Sequence, residues 1–101
     1  MKIDREKLGR ALKVLRKQYG LTQQDVAEEI GVTKNFVSLI ETGERGVSVD
    51  TLSELARLYK MPLPCLISLG YEVSKRSPWH GVLSSLNAAI LDLAELEAVE
   101  A

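Results

Sequence analysis

Apolar residues recur every three or four positions through most of the chain, the spacing that lines one face of a helix, and polar residues with single glycines interrupt them. In DREKLGRALKVLRKQYG the repeat runs Leu8, Leu12, Leu15, Tyr19 and predicts a first helix over about residues 4–19. Gly20 follows, a residue that readily takes the left-handed backbone at a helix end. In LTQQDVAEEIG, Thr22 and Asp25 form a variant capping box ahead of Val26, Ala27 and Ile30, which predicts a second helix over 22–30, up to Gly31. Thr33 caps a third helix that faces Val37 and Ile40 inward and stops at Gly43. Ser48, with Asp50 and Thr51, opens a fourth carrying Leu52, Leu55, Ala56 and Tyr59, and Pro62 starts a short fifth whose Leu66 and Ile67 close the core. No period-two pattern competes, so the expected fold is all-α.

LGYEVSKRSP, with its glycine, charges and proline, reads as a linker. After it, Ser77 and Pro78 cap a last helix running to about residue 99, with Leu83, Leu86, Ile90, Leu93 and Leu96 as an apolar stripe. The expected organisation is therefore a five-helix domain over 1–69, a linker over 70–77 and an amphipathic helix over 78–101.

Composition narrows the possibilities without selecting one. A chain of 101 residues, 46% hydrophobic and 27% charged, suits one small globular domain plus an extra element. MKIDREKLG lacks the apolar stretch of a signal peptide and no apolar run is long enough to span a bilayer, so a cytoplasmic location and no membrane partner are expected. Cys65, the single cysteine, lies in apolar LPCLISL and reads as a small buried hydrophobe. The net charge of −1 hides an asymmetry: residues 1–20 carry seven Lys/Arg against two acids, whereas 71–101 carry two against five. Positive charge is concentrated in the first helix.

The stretch LTQQDVAEEIGVTKNFVSLIETGERG resembles the bihelical unit of the lambda-repressor and Cro-like (XRE) helix-turn-helix family, and the resemblance covers roughly residues 8–67. Ala27 stands where the two helices of the motif cross, Gly31 at its turn, and Val26, Ile30, Val32, Val37 and Ile40 at its buried positions. A larger side chain at 27 would hold the helices apart, and a Cβ at 31 would oppose a left-handed backbone. LRKQYGLTQ, LIETG and TLSELARLY are similar to the family's flanking signatures. One position departs: where the family often has proline before helix four, this chain has Val47, so the loop's phosphate contacts are less secure. The resemblance implies a five-helix lambda-repressor-like DNA-binding domain followed by a C-terminal helix, and double-stranded DNA as partner.

B-DNA's major groove admits one helix and presents a distinct donor and acceptor pattern for each base pair. Helix three is the expected probe. Lys34 and Asn35 at its N-terminal end are the leading base readers, Lys donating to guanine and Asn pairing bidentately with adenine, with Leu39 one turn on against a thymine methyl. Thr22 and Gln23, at the start of helix two, are placed for phosphate, and Gln23 matches the family's backbone-gripping residue. Thr33, Ser38, Thr42 and Arg45 are further phosphate or base-edge contacts, while Phe36 either braces the helix against the domain or lies along the sugar backbone, bracing being favoured because large aromatics gain from burial. Arg16 and Glu41 match the family's ion pair between helix one and the end of helix three, with an arginine donor left over for phosphate.

No metal ligand set, Cys/His nucleophile pair or phosphate loop is evident around His80 and Cys65, so neither an enzyme nor a cofactor is expected. The leading reading is a sequence-specific transcriptional regulator, a repressor, binding a palindromic operator as a homodimer through the stripe of the last helix. Folding of that stripe back on its own domain is the alternative. The other functional reading is an antitoxin-type protein whose acidic C-terminal segment holds a protein partner, with DNA binding secondary.

Overall fold

Six helices follow one another in a computed structural model that describes residues 2–100: α1 (Arg5–Gln18), α2 (Gln23–Ile30), α3 (Lys34–Thr42), α4 (Val49–Leu58), α5 (Leu63–Gly70) and α6 (His80–Glu100). Met1 and Ala101, the outer ends of the expected segments 1–69 and 78–101, lie outside the described residues.

Most boundaries are set by side-chain caps. Asp4 Oδ1 accepts from the Glu6 and Lys7 amides at 2.9 and 3.1 Å. These bonds, that from Lys7 foremost, hold the Asp4 carboxyl below its ordinary pKa. At α2 the capping box is complete: Thr22 Oγ1 accepts from the Asp25 amide at 3.0 Å and Asp25 Oδ2 from the Thr22 amide at 2.9 Å. The same pair lowers the Asp25 pKa. Thr33 Oγ1 caps α3 by accepting from the Phe36 amide at 3.1 Å, and Ser48 Oγ caps α4 by accepting from Thr51 at 3.1 Å.

The left-handed residues at helix ends are the expected Gly20, Gly31 and Gly43, with one addition, Lys60 at φ 53°. Lys60 closes α4 much as Gly20 closes α1. The Met61 amide reaches back to the Ala56 carbonyl at 3.0 Å, as the Leu21 amide does to Arg16 at 3.1 Å. An L-residue there bears a left-handed penalty of ~1–2 kcal/mol that glycine avoids, partly offset by glycine's greater chain entropy. Lys60→Gly is therefore expected to raise stability by ~0.5–1 kcal/mol in a denaturant titration; a lower midpoint would contradict this account of the α4 end.

The core is built around α1, whose Leu8, Leu12 and Leu15 are buried with Val26 and Ala27 of α2, Val37 and Ile40 of α3, Leu55 of α4 and Leu66 of α5. Each buried leucine contributes ~1.5–3 kcal/mol relative to exposure. Tyr59, after α4, is also buried, and burial pushes its phenol pKa upward. Its carbonyl accepts from the half-buried Tyr19 hydroxyl at 2.8 Å, tying the ends of α1 and α4. Ile67 and Cys65 are only half-buried.

The linker stretch is fastened at its start. The Asp4 amide donates to the Gly70 carbonyl at 2.9 Å, the Glu72 amide to Lys2 at 3.2 Å, and Ile3 and Tyr71 form an isolated antiparallel bridge. α6 begins two residues later than the cap at Ser77 and Pro78 suggests. The Ser77 carbonyl accepts from His80 at 3.1 Å in a tighter turn, and the first full helical bond runs from the Leu83 amide to Trp79 at 2.9 Å.

α6 lies against α1 and α5. Its Ile90 and Ala94 are buried in the domain's own core, Leu83 and Leu91 are half-buried, and Ser68 of α5 donates to Asn87 Oδ1 at 2.7 Å. The five stripe residues therefore divide: Ile90 and Leu83 turn toward the domain, while Leu86, Leu93 and Leu96 stay exposed. The division follows from a helix that is apolar on two faces, of which the domain covers one. Among the described residues no helix is long and apolar enough to cross a membrane.

Candidate nucleic-acid interface

α2 and α3 are joined by a turn at Gly31 (φ 74°), with the Val32 amide donating to Ala27 at 2.9 Å. Ala27, 1% exposed, sits in the crossing. The inner face of α3 is committed through Val37 and Ile40, so the helix can present only its other face. On that face Lys34 and Asn35 are exposed in the first turn, and Ser38 and Leu39 are half-buried in the second.

Thr22 and Thr33 are exposed N-caps whose hydroxyl oxygens accept from the backbone, leaving each O–H proton free to donate outward. Thr42 is turned the other way. Its hydroxyl donates to the Leu39 carbonyl at 3.1 Å, so it faces solvent as an acceptor, not as the phosphate donor its type suggests.

The expected ion pair joins α1 to α3. Arg16 Nε donates to Glu41 Oε2 at 2.7 Å and Nη2 to Oε1 at 3.1 Å, with the arginine 8% and the glutamate 7% exposed. The Glu41 hydrogen bond, followed by its charge, raises the Arg16 pKa against the effect of burial. Arg16 Nη1 donates to the Leu21 carbonyl at 2.8 Å, just before α2. Three of the five guanidinium N–H groups thus serve the protein, which leaves a second N–H on Nη1 and on Nη2. Glu41 also accepts from Gln23 Nε2 at 3.2 Å, so the first residue of α2 is anchored to α3 through the same carboxylate. Gln23 retains its second N–H for a ligand.

Two features of the rim were not apparent in the sequence. Arg45 stacks its guanidinium over Phe36, 4.9 Å from the ring centroid, so the half-buried ring supports the cation that follows α3. Arg5, at the start of α1, lies over Gly46: a Cβ built on Gly46 would come 3.0 Å from Arg5 Nε. Arg5 and Arg45 share a small cavity with Ile3, Leu8 and Val47, and so border the α3–α4 loop together. The basic bias of residues 1–20 was the one sequence signal for Arg5.

Two short capped helices crossing at Ala27 and turning at Gly31, the second with a polar outer face, have the arrangement of a helix-turn-helix motif. A family model described as Helix-turn-helix matches residues 12–64, and the chain belongs to that family, as an XRE-type transcriptional regulator. Its relatives include the HTH-type transcriptional regulator ImmR of Bacillus subtilis, 33% identical over 88 residues that cover 87% of this chain and 68% of ImmR. The ImmF control region 10 kDa protein of Bacillus phage phi105 is 36% identical over 64 residues, covering 63% of this chain and 71% of that protein. The cryptic phage CTXphi transcriptional repressor RstR of Vibrio cholerae is 37% identical over 54% of this chain and 49% of its own length.

Proposed function

We propose that the protein represses transcription by binding a palindromic operator as a homodimer, with α3 in the major groove of each half-site. The observation that carries this reading is the outer face of α3, which presents Lys34 and Asn35 to solvent while Val37 and Ile40 hold the helix in the core. Lys34 and Asn35 read base edges, and Leu39 packs on a thymine methyl. Thr22, Gln23, Thr33 and Arg45 hold phosphates, joined by Arg5. Ser38 and Thr42 stand at the base-edge rim, Thr42 as an acceptor. The exposed apolar residues of α6 support association of two copies, which sets two recognition helices about one DNA turn, ~34 Å, apart.

Base contacts carry sequence information and phosphate contacts carry little, so two variants separate the roles. Asn35→Ala is expected to relax preference at one position of each half-site at a cost of ~1–3 kcal/mol. Arg45→Ala is expected to weaken all duplexes alike and to lower the slope of log affinity against log salt by about one per site. Binding titrations on matched and substituted duplexes at several salt concentrations check both. Loss of base preference in Arg45→Ala with full preference in Asn35→Ala would reverse the assignment.

A further inference from the structure

α6 has two apolar faces, and the domain covers only one. The uncovered face comprises Trp79, Val82, Leu86, Ala89, Leu93 and Leu96, all exposed, the five large side chains to between 46% and 66%. Trp79 belongs to the strip because its carbonyl accepts the first helical bond, from Leu83. The strip is ~26 Å long and about one helix wide, a continuous row of apolar side chains left exposed by the domain.

From residue 79 the steps along the strip are 3, 4, 3, 4 and 3, the heptad seam of a paired helix. Read backward from Leu96 the steps are the same. A second copy laid antiparallel therefore sets every strip residue opposite another: 79 against 96, 82 against 93, 86 against 89. The central layer then joins a large residue to a small one, Leu86 to Ala89. A parallel pair would also match the spacing, each residue facing itself, so charge decides the orientation. Asp92, Glu95 and Glu97 lie in the second half of α6, while Lys75 and Arg76 precede it. A parallel pair sets the acids of the two copies together, whereas the antiparallel pair brings each acidic end to the partner's basic end and opposes the helix dipoles favourably.

We infer that two copies associate through this strip with their α6 helices antiparallel, the two-fold axis passing between Leu86 and Ala89. This rests on the homodimer reading above and specifies its interface. The strip is self-complementary, so one two-fold contact covers it on both copies at once. Beside it runs an apolar groove of about 230 Å³, lined by Met61, Pro62, Cys65 and Leu93 among others, which extends the surface available to the partner helix.

Cross-linking with the full chain in a Cys65→Ser background tests the orientation. In the antiparallel pair, Val82→Cys and Leu93→Cys face each other, whereas each is ~16 Å along the axis from its own copy, beyond the ~7 Å Cα separation a disulfide spans. Oxidation of the mixed variants is expected to give a cross-linked dimer, and oxidation of either alone to give none. Sedimentation supplies the second readout. Leu93→Asp, at an exposed position that the fold does not need, is expected to weaken dimerisation roughly tenfold or more without loss of helix. Self-cross-linking of each single variant would overturn the antiparallel arrangement while leaving the homodimer reading intact. A wild-type chain that sediments as a monomer, with no cross-link in any mixture, would overturn both and leave the strip to a different protein.

Discussion

Glu41→Ala is expected to lower stability by ~3–5 kcal/mol, a large part of the 5–15 kcal/mol that holds a domain of this kind together. The magnitude follows from what remains. Arg16, 8% exposed and bonded to Glu41 by two nitrogens, would keep its charge in a site with no anion. The lost pair contributes little net energy in itself, because desolvating both groups offsets most of their attraction; the orphaned guanidinium supplies the penalty. Gln23 would lose its hold on α3 as well, loosening the α2 N-terminus relative to α3. Reciprocal replacement of both partners by apolar residues should therefore cost less than the single change. Urea unfolding of the two variants checks this, and an unchanged midpoint for Glu41→Ala would reject the account of the pair.

Gly9→Ala is expected to destabilise by ~2–3 kcal/mol even though alanine is the better helix former by ~1 kcal/mol. A Cβ at position 9 would come 2.5 Å from the Glu41 carbonyl oxygen and 2.6 Å from that of Ile40. Both obstacles are backbone, so the clash is relieved only if α1 moves away from α3. That movement would also strain the Arg16–Glu41 pair two turns further along α1. The effect should show as a lower thermal midpoint with a weaker operator complex, because α1 sets the position of α3. A Gly9→Ala variant as stable as the parent would mean that the helices separate freely, contrary to the packing described.

The helices of the domain were legible because local chemistry and tertiary packing agree there. Thr22, Thr33 and Ser48 sit before apolar stripes, and each is the observed cap. Gly9 was not legible, since a glycine inside an amphipathic pattern looks like a weak helix former until the facing backbone is known. Lys60 was missed for the converse reason: no glycine marks that left-handed end. Arg45 on Phe36 depends on how a loop after α3 turns back, which residue spacing does not encode. The division of the α6 apolar residues between a domain-facing side and an open side needed the tertiary structure too. The sequence shows that α6 is apolar at three- and four-residue steps, but not which of its faces the domain takes.

The central claim is that α3 gives this protein a preferred DNA sequence. Selection of bound sites from random duplexes, at one stated salt concentration and again at a higher one, tests it most directly, because electrostatic binding alone falls with salt without regard to sequence. The account predicts enrichment of an inverted repeat whose half-site centres lie about one helical turn apart, with enrichment that persists at the higher salt while total binding falls. Retained duplexes as varied as the starting pool at both salt concentrations would contradict it.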